Sequence, residues 1–507
     1  QGLTAILVPI YNEDPIATFA RTAAMNRSLV DLGIAERFHF VILSDTQSLE
    51  NAAQEAIWFN RLVDEPMSNG RIFYRRRERN IGRKAGNIED FVERSGGAYD
   101  YALILDADSL MEGTTIGEMA RRMDDDPRLG LFQTVPHIIN ARTLFGRSLQ
   151  FSSAYLSPTF ARGAAQMQGY EGPYWGHNAI VRLPAFAASC GLPELSGKPP
   201  FGGHILSHDY VEAALLSRAG WKVAMDPGLP GSYEEGPENL VEYAKRDRRW
   251  CQGNLQHARL VGAPGLKLWS RFTFIQGIMA YLASPLWLAL LATSIAAAIF
   301  PDQVPVWLGF EHSFSPWTLI VAVGVVLILP KFLILLRGSF DGHNRGFGGT
   351  MQAATSVLGE IVLSTLLAPT LLLLQTRSVA QVLLGIDGGW PPTRRGENRV
   401  TLADAWQASW WIVAIAVVTL GGTLALAPSS ALWVAPAMLP AIAAPLLIAL
   451  SSRPSRKPVP PLFATPSELS PTSVILAQRA IVTAWTGHQA IPVPETVPLR
   501  TPQHVTV

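Results

Sequence analysis

The sequence predicts two structural units, an α/β domain with a mostly parallel sheet and an α-helical membrane region that follows it. Over residues 1 to about 260, short apolar runs alternate with longer amphipathic stretches, which is the pattern of βαβ units. The runs predicted as strands are residues 5–10, 38–43, 101–105 and 129–133. Long apolar segments begin near Phe274, and 48% of the 507 residues are hydrophobic, which favours a membrane protein.

Charge and cysteine content narrow the classes of function. Lys and Arg number 41 against 40 Asp and Glu, so the net charge of +1 gives no basis for nucleic-acid binding. Cys190 and Cys251 are the only cysteines, and their spacing suits neither a disulfide framework nor a cysteine metal site, so both are predicted to be free thiols. The chain begins with Gln1 rather than Met, and we expect further residues ahead of it.

Acidic side chains follow the first three predicted strands. Glu13 and Asp14 come after the first, Asp45 after the second, and Asp106 and Asp108 after the third. Ligands of parallel sheets bind beyond the carboxyl ends of the strands, although a single acid there equally suits a helix cap. The Asp-x-Asp pair is more specific, because two such carboxylates can share a hard divalent cation that also binds phosphate oxygens.

Three further clusters lie between the sheet and the membrane region. Residues 172–178 are aromatic and glycine-rich, which suits a loop close to a sugar or an ordinary turn with a buried Trp175. Asp209 begins a predicted helix, where it is either a cap or a general base. Residues 246–250 combine guanidinium groups with a Trp, which suits a diphosphate and a sugar face, or an amphipathic helix anchored to lipid headgroups.

Together these motifs resemble those of the processive family 2 glycosyltransferases, which include cellulose, chitin and hyaluronan synthases. The matching segments are residues 8–13, 44–45, 84–87, 106–108, 208–209 and 249–250. Residues 73–77, 174–180, 206–214 and 245–251 are most similar to the branch that makes the backbone of osmoregulated periplasmic glucans. The resemblance covers residues 1 to about 450, and it implies a GT-A-type glycosyltransferase domain.

The resemblance also implies roles for individual residues. On the donor side it implies uridine binding by Tyr11, Glu13 and Asp45, diphosphate binding by Lys84, and binding of Mg²⁺ or Mn²⁺ by Asp106 and Asp108. On the acceptor side it implies a base at Asp209, neutralisation of the departing UDP by Arg249, stacking of the acceptor sugar on Trp250, and acceptor contacts from Trp175, His177 and Asn178. Transfer would invert the anomeric centre, and the β-1,2 linkage rests on the resemblance alone.

Two positions depart from the wider family pattern. Arg246 stands where the family has Gln, and His208 stands where it has Glu. The contacts of both side chains therefore stay open at this point. A hydrogen bond that holds the structure is the preferred role for His208, although a neighbouring imidazole can also tune the pKa of Asp209.

The sequence divides into a transferase domain at 1–265, a membrane region at 266–450 and a Pro-rich cytoplasmic tail at 451–507. We predict about four spans, at 274–299, 316–336, 410–428 and 431–450. The segment 355–374 contains Glu360 and Pro369 and has basic flanks, so we interpret it as a cytoplasmic interfacial element. The tail is expected to be mostly loose, with one amphipathic helix at 474–485.

Residues 386–399 resemble the gating loop of the same family. Trp390, Thr393 and Arg395 reproduce its spacing of an aromatic, a Thr and a cation. A Pro-rich linker with a chance match is the alternative. If the segment is a gate, Thr393 and Arg395 fold over the bound UDP and exclude water during transfer.

The sequence thus predicts a multi-pass enzyme of the bacterial inner membrane with a cytoplasmic catalytic domain. Its expected partners are UDP-glucose, a growing β-glucan, membrane lipids and periplasmic glucan-biosynthesis proteins. One alternative is a cellulose-, chitin- or mannan-type synthase with another donor or linkage. The other is a non-catalytic membrane regulator, and the complete set of Asp45, Asp108, Asp209, Arg249 and Trp250 argues against it.

Overall fold

The computed structural model describes residues 2–65, 68, 70–300, 316–386, 399–455 and 461–487. The strands are β1 (Thr4–Ile10), β2 (Phe38–Ser44), β3 (Ile72–Arg76), β4 (Tyr101–Ile104), β5 (Leu110–Met111), β6 (Leu129–Thr134), β7 (His137–Ile139), β8 (Ala179–Arg182), β9 (Lys222–Asp226) and β10 (Ser232–Glu235). Seven of them form a sheet in the order β3-β2-β1-β4-β8-β6-β9, in which only β8 runs antiparallel to its neighbours. A smaller sheet has the order β5-β10-β7.

The described residues of this unit include nine α-helices. They are α1 (Pro15–Asp31), α2 (Leu49–Val63), α3 (Arg83–Ser95), α4 (Gly113–Asp125), α5 (Leu144–Phe151), α6 (Ser157–Gln168), α7 (Leu183–Ser189), α8 (His208–Arg218) and α9 (Leu240–Gln256). Alternate residues of β1 enter opposite cores: Ile6 and Val8 belong to one, Ala5 and Leu7 to the other. A strand buried on both faces is expected at the centre of a parallel sheet, and the α/β GT-A-type prediction is confirmed.

The second unit is helical. Its helices are α10 (Leu268–Ile299), α11 (Pro316–Asp341), α12 (Thr350–Leu383), α13 (Leu402–Leu426), α14 (Pro428–Ile442) and α15 (Ala444–Ser451). Among the described residues, α10, α11, α12 and α13 are each long and apolar enough to cross a membrane, and α14 with α15 passes as one span bent by 51°. The protein is therefore membrane-associated.

Helix α12 contains the segment predicted to be interfacial, and it contacts the transferase domain along its whole length. Near its start, Val357 shares an apolar cluster with Tyr155. In its middle, Leu367 packs with Leu240 of α9. Near its end, Val379 packs with Leu255, which also belongs to α9. With 34 residues the helix is about 51 Å long, so one side of it follows the surface of the domain.

The tail returns to the transferase domain instead of remaining loose. It forms the short helix α16 (Pro466–Leu469) and then α17 (Ser473–Thr486), at the position of the predicted amphipathic helix. Val474, Ile475, Ile481 and Trp485 complete the apolar core that contains β1 and α1. The predicted amphipathic helix is thus present, whereas the tail around it, over residues 461–487, is docked rather than loose, because apolar residues at helical spacing enter the core.

Candidate active site

The predicted uridine site lies at the carboxyl ends of β1 and β2. Asp45 is 3% exposed, and its two carboxylate oxygens accept from Nε and Nη2 of Arg77 at 2.7 and 2.9 Å. Burial raises the pKa of Asp45, and the Arg77 guanidinium opposes that rise. The backbone N–H of Tyr11 donates to the Glu13 carboxylate. Tyr11, Glu13 and Asp45 therefore lie at the same edge of the sheet. Arg77 holds the Asp45 carboxylate in place.

Lys84 connects two parts of the site. It lies in the first turn of α3, and its Nζ donates to the Asp106 carboxylate and, at 2.7 Å, to the carbonyl of Gly176. Asp106 follows β4 in a tight turn, in which its backbone N–H donates to Ser109 Oγ at 2.9 Å. One cation thus holds the first acid of the Asp-x-Asp motif against the loop at 172–178.

The second acid of the motif faces helix α9. Asp108 is 6% exposed, and Arg246 Nη2 lies 3.9 Å from its Oδ2. Glu234 of β10 adjoins the same group: burial raises its pKa, the Asp106 and Asp108 carboxylates add to that rise, and His177 and Arg246 oppose it. Asp106, Asp108 and Glu234 thus form a compact acidic cluster. Arg246, whose contacts the sequence left open, is the counter-ion of this cluster.

The loop at 172–178 lies directly against the predicted base. Gly176 has φ +89°, and a Cβ at this position would come within 3.1 Å of Asp209 Oδ2. Only glycine fits both the positive φ and this close approach. Lys84 binds the carbonyl of the same Gly176, so a single residue separates the Lys84–Asp106 pair from Asp209.

Burial and neighbouring charges together raise the pKa of Asp209. The residue lies in the first turn of α8, where burial raises the pKa of its carboxyl, the His208 imidazole lowers it and Glu212 raises it. His208 Nδ1 is 3.0 Å from Glu212 Oε1. Burial alone would lower the pKa of His208, but Glu212 and Asp209 raise it overall. His208 therefore has the expected structural hydrogen bond, and its raised pKa favours the protonated imidazole beside the base.

Helix α9 packs tightly on the start of α8. A Cβ on Gly253 would come within 2.1 Å of Ser207 Oγ, and His257 Nε2 lies 3.0 Å from the Ser207 carbonyl. This contact holds Trp250, one turn before Gly253, near the end of α8 that carries Asp209. Trp250 is 50% exposed, so part of its side chain is accessible to a ligand.

The three predicted acceptor residues differ in accessibility. Trp175 is partly exposed, and its backbone N–H donates to Gln133 Oε1 at 3.1 Å. His177 Nε2 lies 3.3 Å from Glu234 Oε2. Asn178 is fully buried with φ +49°, and its amide donates to Ser232 Oγ at 2.8 Å. Trp175 and His177 can face a ligand, whereas Asn178 holds the loop on the small sheet.

Sequence reasoning missed Glu234, Arg77 and Glu212. Glu234 reaches the site because β10 pairs with β5, where partners such as Ser232 and Met111 are far apart in sequence, and no local motif marks it. Arg77 belongs to a basic run that suggested a solvated surface. Its position directly after β3 is the feature of the sequence that could have indicated a place in the site. The predicted gate residues Trp390, Thr393 and Arg395 lie outside the described residues.

Two family models match the chain, glycosyl transferase family 2 over residues 5–188 and glycosyl transferase family group 2 over residues 101–335. The curated protein "Glucans biosynthesis glucosyltransferase H" of Cereibacter sphaeroides is 55% identical over 99% of this chain and 85% of its own length. The proteins of the same name from Shewanella sp. strain W3-18-1 and Shewanella oneidensis are each 41% identical, over 96% of this chain and 69% of theirs.

Among solved structures, the mannosyltransferase PcManGT from Pyrobaculum calidifontis, in complex with GDP-Man and Mn²⁺, is similar to this chain with a TM-score of 0.42 and 15% identity. The similarity covers 65% of this chain and 81% of that one.

Proposed function

The chain belongs to the glucans biosynthesis glucosyltransferase H family, within glycosyl transferase family 2, and from this membership we propose that it polymerises glucose from UDP-glucose into a β-1,2-linked glucan backbone. The observation that carries the proposal is the junction at Gly176, where Asp106, Lys84 and Asp209 meet. A donor diphosphate bound at the first two would bring its sugar next to the third. Membership alone makes the protein a glucosyltransferase of glucan synthesis.

In the proposed reaction a hydroxyl of the acceptor attacks C1 of the donor glucose. The hydroxyl proton passes to Asp209, whose raised pKa makes it a better base than an exposed carboxylate. The bond between C1 and the UDP oxygen breaks, and UDP leaves with the electron pair. Lys84 and Arg249 would stabilise the negative charge on the diphosphate. A single displacement from α-linked UDP-glucose gives a β-linked product.

The acids fit a cation that arrives with the nucleotide. Among the described residues, no group of three or more His, Cys, Asp or Glu could hold a metal by itself. Mg²⁺ is commonly bound by one or two carboxylates together with substrate phosphates, and Asp106 and Asp108 supply that number. When bound, Mg²⁺ or Mn²⁺ would neutralise the diphosphate. Lys84 and Arg246, which pair with these acids, would then turn toward phosphate.

Arg246→Gln restores the residue of the wider family and should tighten cation binding in the absence of nucleotide. The Arg246 guanidinium lies 3.9 Å from the Asp108 carboxylate, so its removal makes the site more negative. We expect the Mn²⁺ affinity to rise roughly tenfold, about 1.4 kcal/mol. This is less than the full interaction of two charges about 4 Å apart near a protein surface. Mn²⁺ titration followed by electron paramagnetic resonance measures it.

Lys245→Gln is the matched control, because Lys245 is exposed on the same helix and lines a cavity on the membrane side. It should leave Mn²⁺ affinity as in the wild type. Equal affinities for the wild type and Arg246→Gln would refute the counter-ion role of Arg246.

We propose four crossings of the inner membrane, by α10, α11, α13 and the bent pair α14–α15, with α12 in the cytoplasmic interface. The contacts of α12 with the transferase domain support this arrangement. The chain is also back at the domain after α11, where Phe347 and Tyr155 rings are 4.7 Å apart, and after α15, where the Ser455 N–H donates to Arg142 at 2.8 Å. An even number of crossings follows.

Inside-out inner-membrane vesicles that contain the protein test activity, orientation and export together. With Mg²⁺ and radiolabelled UDP-glucose added outside, we expect UDP release and a 1,2-linked glucan that accumulates in the lumen. If neither polymer nor UDP is formed, the enzyme proposal fails. A 1,4-linked product would assign the chain to cellulose-type synthases, and polymer found only outside the vesicles would refute export through the spans.

A further inference from the structure

Arg21 is a buried cation in helix α1. It is 5% exposed, although its neighbours on the helix include core residues such as Ala20 and Ala24. Burial of a guanidinium costs free energy unless the group is paired and hydrogen-bonded. Replacement of a buried ion pair by apolar residues of similar volume is often neutral or stabilising. Stability alone therefore does not explain why a charged side chain occupies this position.

One end of the Arg21 guanidinium holds the Asp-x-Asp turn. Its Nη1 donates to the carbonyl of Ala107 at 3.0 Å. Ala107 stands between Asp106 and Asp108, and its carbonyl belongs to the peptide group that leads into Asp108. Because that peptide group is planar, a hydrogen bond that holds the Ala107 carbonyl also restricts the direction in which the Asp108 side chain leaves the backbone.

The other end of the guanidinium holds strand β10. Nη2 of Arg21 lies 2.7 Å from Oε1 of Glu235, which directly follows Glu234 in that strand. Consecutive side chains of a strand point to opposite faces, so Glu235 turns toward α1 whereas Glu234 turns toward the acidic cluster. Arg21 thus joins the Asp-x-Asp turn to the strand that carries Glu234.

Glu235 is itself held by further elements. Nδ2 of Asn140, the residue that follows β7, donates to the same Oε1 at 3.2 Å. Oδ1 of Asn140 in turn accepts from Nη2 of Arg479 in α17 at 3.3 Å. Glu235 is therefore anchored from α1, from the end of β7 and, through Asn140, from the docked tail.

We propose that Arg21 is a positioning residue for the transfer reaction, which sets the relative placement of Asp108 and Glu234 that lets a divalent cation and the donor diphosphate bind. The inference rests on the proposed function, in which Asp106 and Asp108 share the cation with the nucleotide. Arg21 touches neither the cation nor the substrate, and it acts through the Ala107 carbonyl and Glu235.

Charge and position predict opposite effects when Arg21 is removed. Loss of a cation beside the acidic cluster would by charge alone tighten cation binding, as expected for Arg246→Gln. Loss of the support for the Asp-x-Asp turn would weaken cation binding, because the acids would no longer be oriented toward one point. The sign of the change therefore separates the two roles.

Mn²⁺ titration of the full chain at saturating UDP, followed by electron paramagnetic resonance, measures this sign. Arg21→Met should weaken Mn²⁺ binding by about 10–100-fold, the usual effect of removing a group that orients metal ligands. Arg21→Lys should weaken it roughly tenfold, because an ammonium keeps the charge but lacks the planar fork that reaches two partners. Arg21→Lys decides the question if Arg21→Met does not fold.

Arg122→Met is the matched control. Arg122 of α4 is also a forked cation, which donates to Glu118 at 2.9 Å and to Asp226 at 2.7 Å, and both partners lie outside the candidate site. This variant should bind Mn²⁺ as the wild type does.

Unchanged or tighter Mn²⁺ binding by either Arg21 variant overturns the inference. An equal loss of affinity in Arg122→Met would show a general effect of lost stability, and it overturns the inference as well. A wild type that binds no Mn²⁺ with UDP would instead refute the cation site of the proposed function, and the positioning role of Arg21 with it.

Discussion

Asp209→Asn is expected to reduce polymer formation by about 10²–10⁴-fold while UDP binds as in the wild type. A positioned general base contributes this range of rate, and Asn cannot accept the proton. The side chain touches Gly176 rather than the Asp106–Lys84 pair that would bind the diphosphate, so nucleotide affinity should change little. Turnover with UDP-glucose and calorimetric titration with UDP separate the two effects.

The pH profile of the wild type gives a second test of the same base. Burial raises the pKa of Asp209, so the active, deprotonated form appears only as pH rises above the range of an ordinary Asp. The acidic limb of kcat/KM should therefore lie above about 3.9. A raised pKa also means that the charged carboxylate costs folding free energy at neutral pH, so Asp209→Asn should not lower stability there.

Asp125→Asn, an exposed acid of α4 that pairs with Arg121, is the control and should behave as the wild type in every assay. Substantial polymer formation by Asp209→Asn would show that another group takes the proton.

Trp485→Ala is expected to release the tail from the transferase domain. Trp485 is 1% exposed, stacks on Trp58 with centroids 5.6 Å apart, and donates from Nε1 to Glu65 at 3.1 Å. Truncation of a buried Trp costs about 3–5 kcal/mol, and a helix of this length is marginal in water without its packing partner. Hydrogen exchange should become fast in α17 and faster in α1, on which α17 packs.

Leu476→Ala provides the comparison on the same helix, since Leu476 is 52% exposed. Its hydrogen exchange should match that of the wild type. Unchanged protection of α1 and α17 in Trp485→Ala would mean that the tail is held elsewhere, for example by the buried ion pair between Arg147 and Glu468.

The sequence predicted the parts of the molecule in which local pattern and final position coincide. β1 and β4 are short apolar runs followed by candidate site residues, so the strand and the acids Asp106 and Asp108 could be recognised together. Glu234 could not be predicted in this way, because only the pairing of β10 with β5 brings it to those acids. Docking of α17 was missed for a similar reason: its apolar face was visible, but its partner α1 lies far away in sequence.

The contact between α1 and α17 also constrains how the protein is made. Among the described residues, α1 precedes the candidate spans and α17 follows them, with roughly 440 residues between the two helices. At about 5–20 residues per second, a ribosome needs roughly 20–90 s to synthesise that interval. Throughout this time the face of α1 that will receive Trp485 stays uncovered. Nascent chains should therefore need protection by chaperones until the last span has been inserted, and the transferase core closes only afterwards.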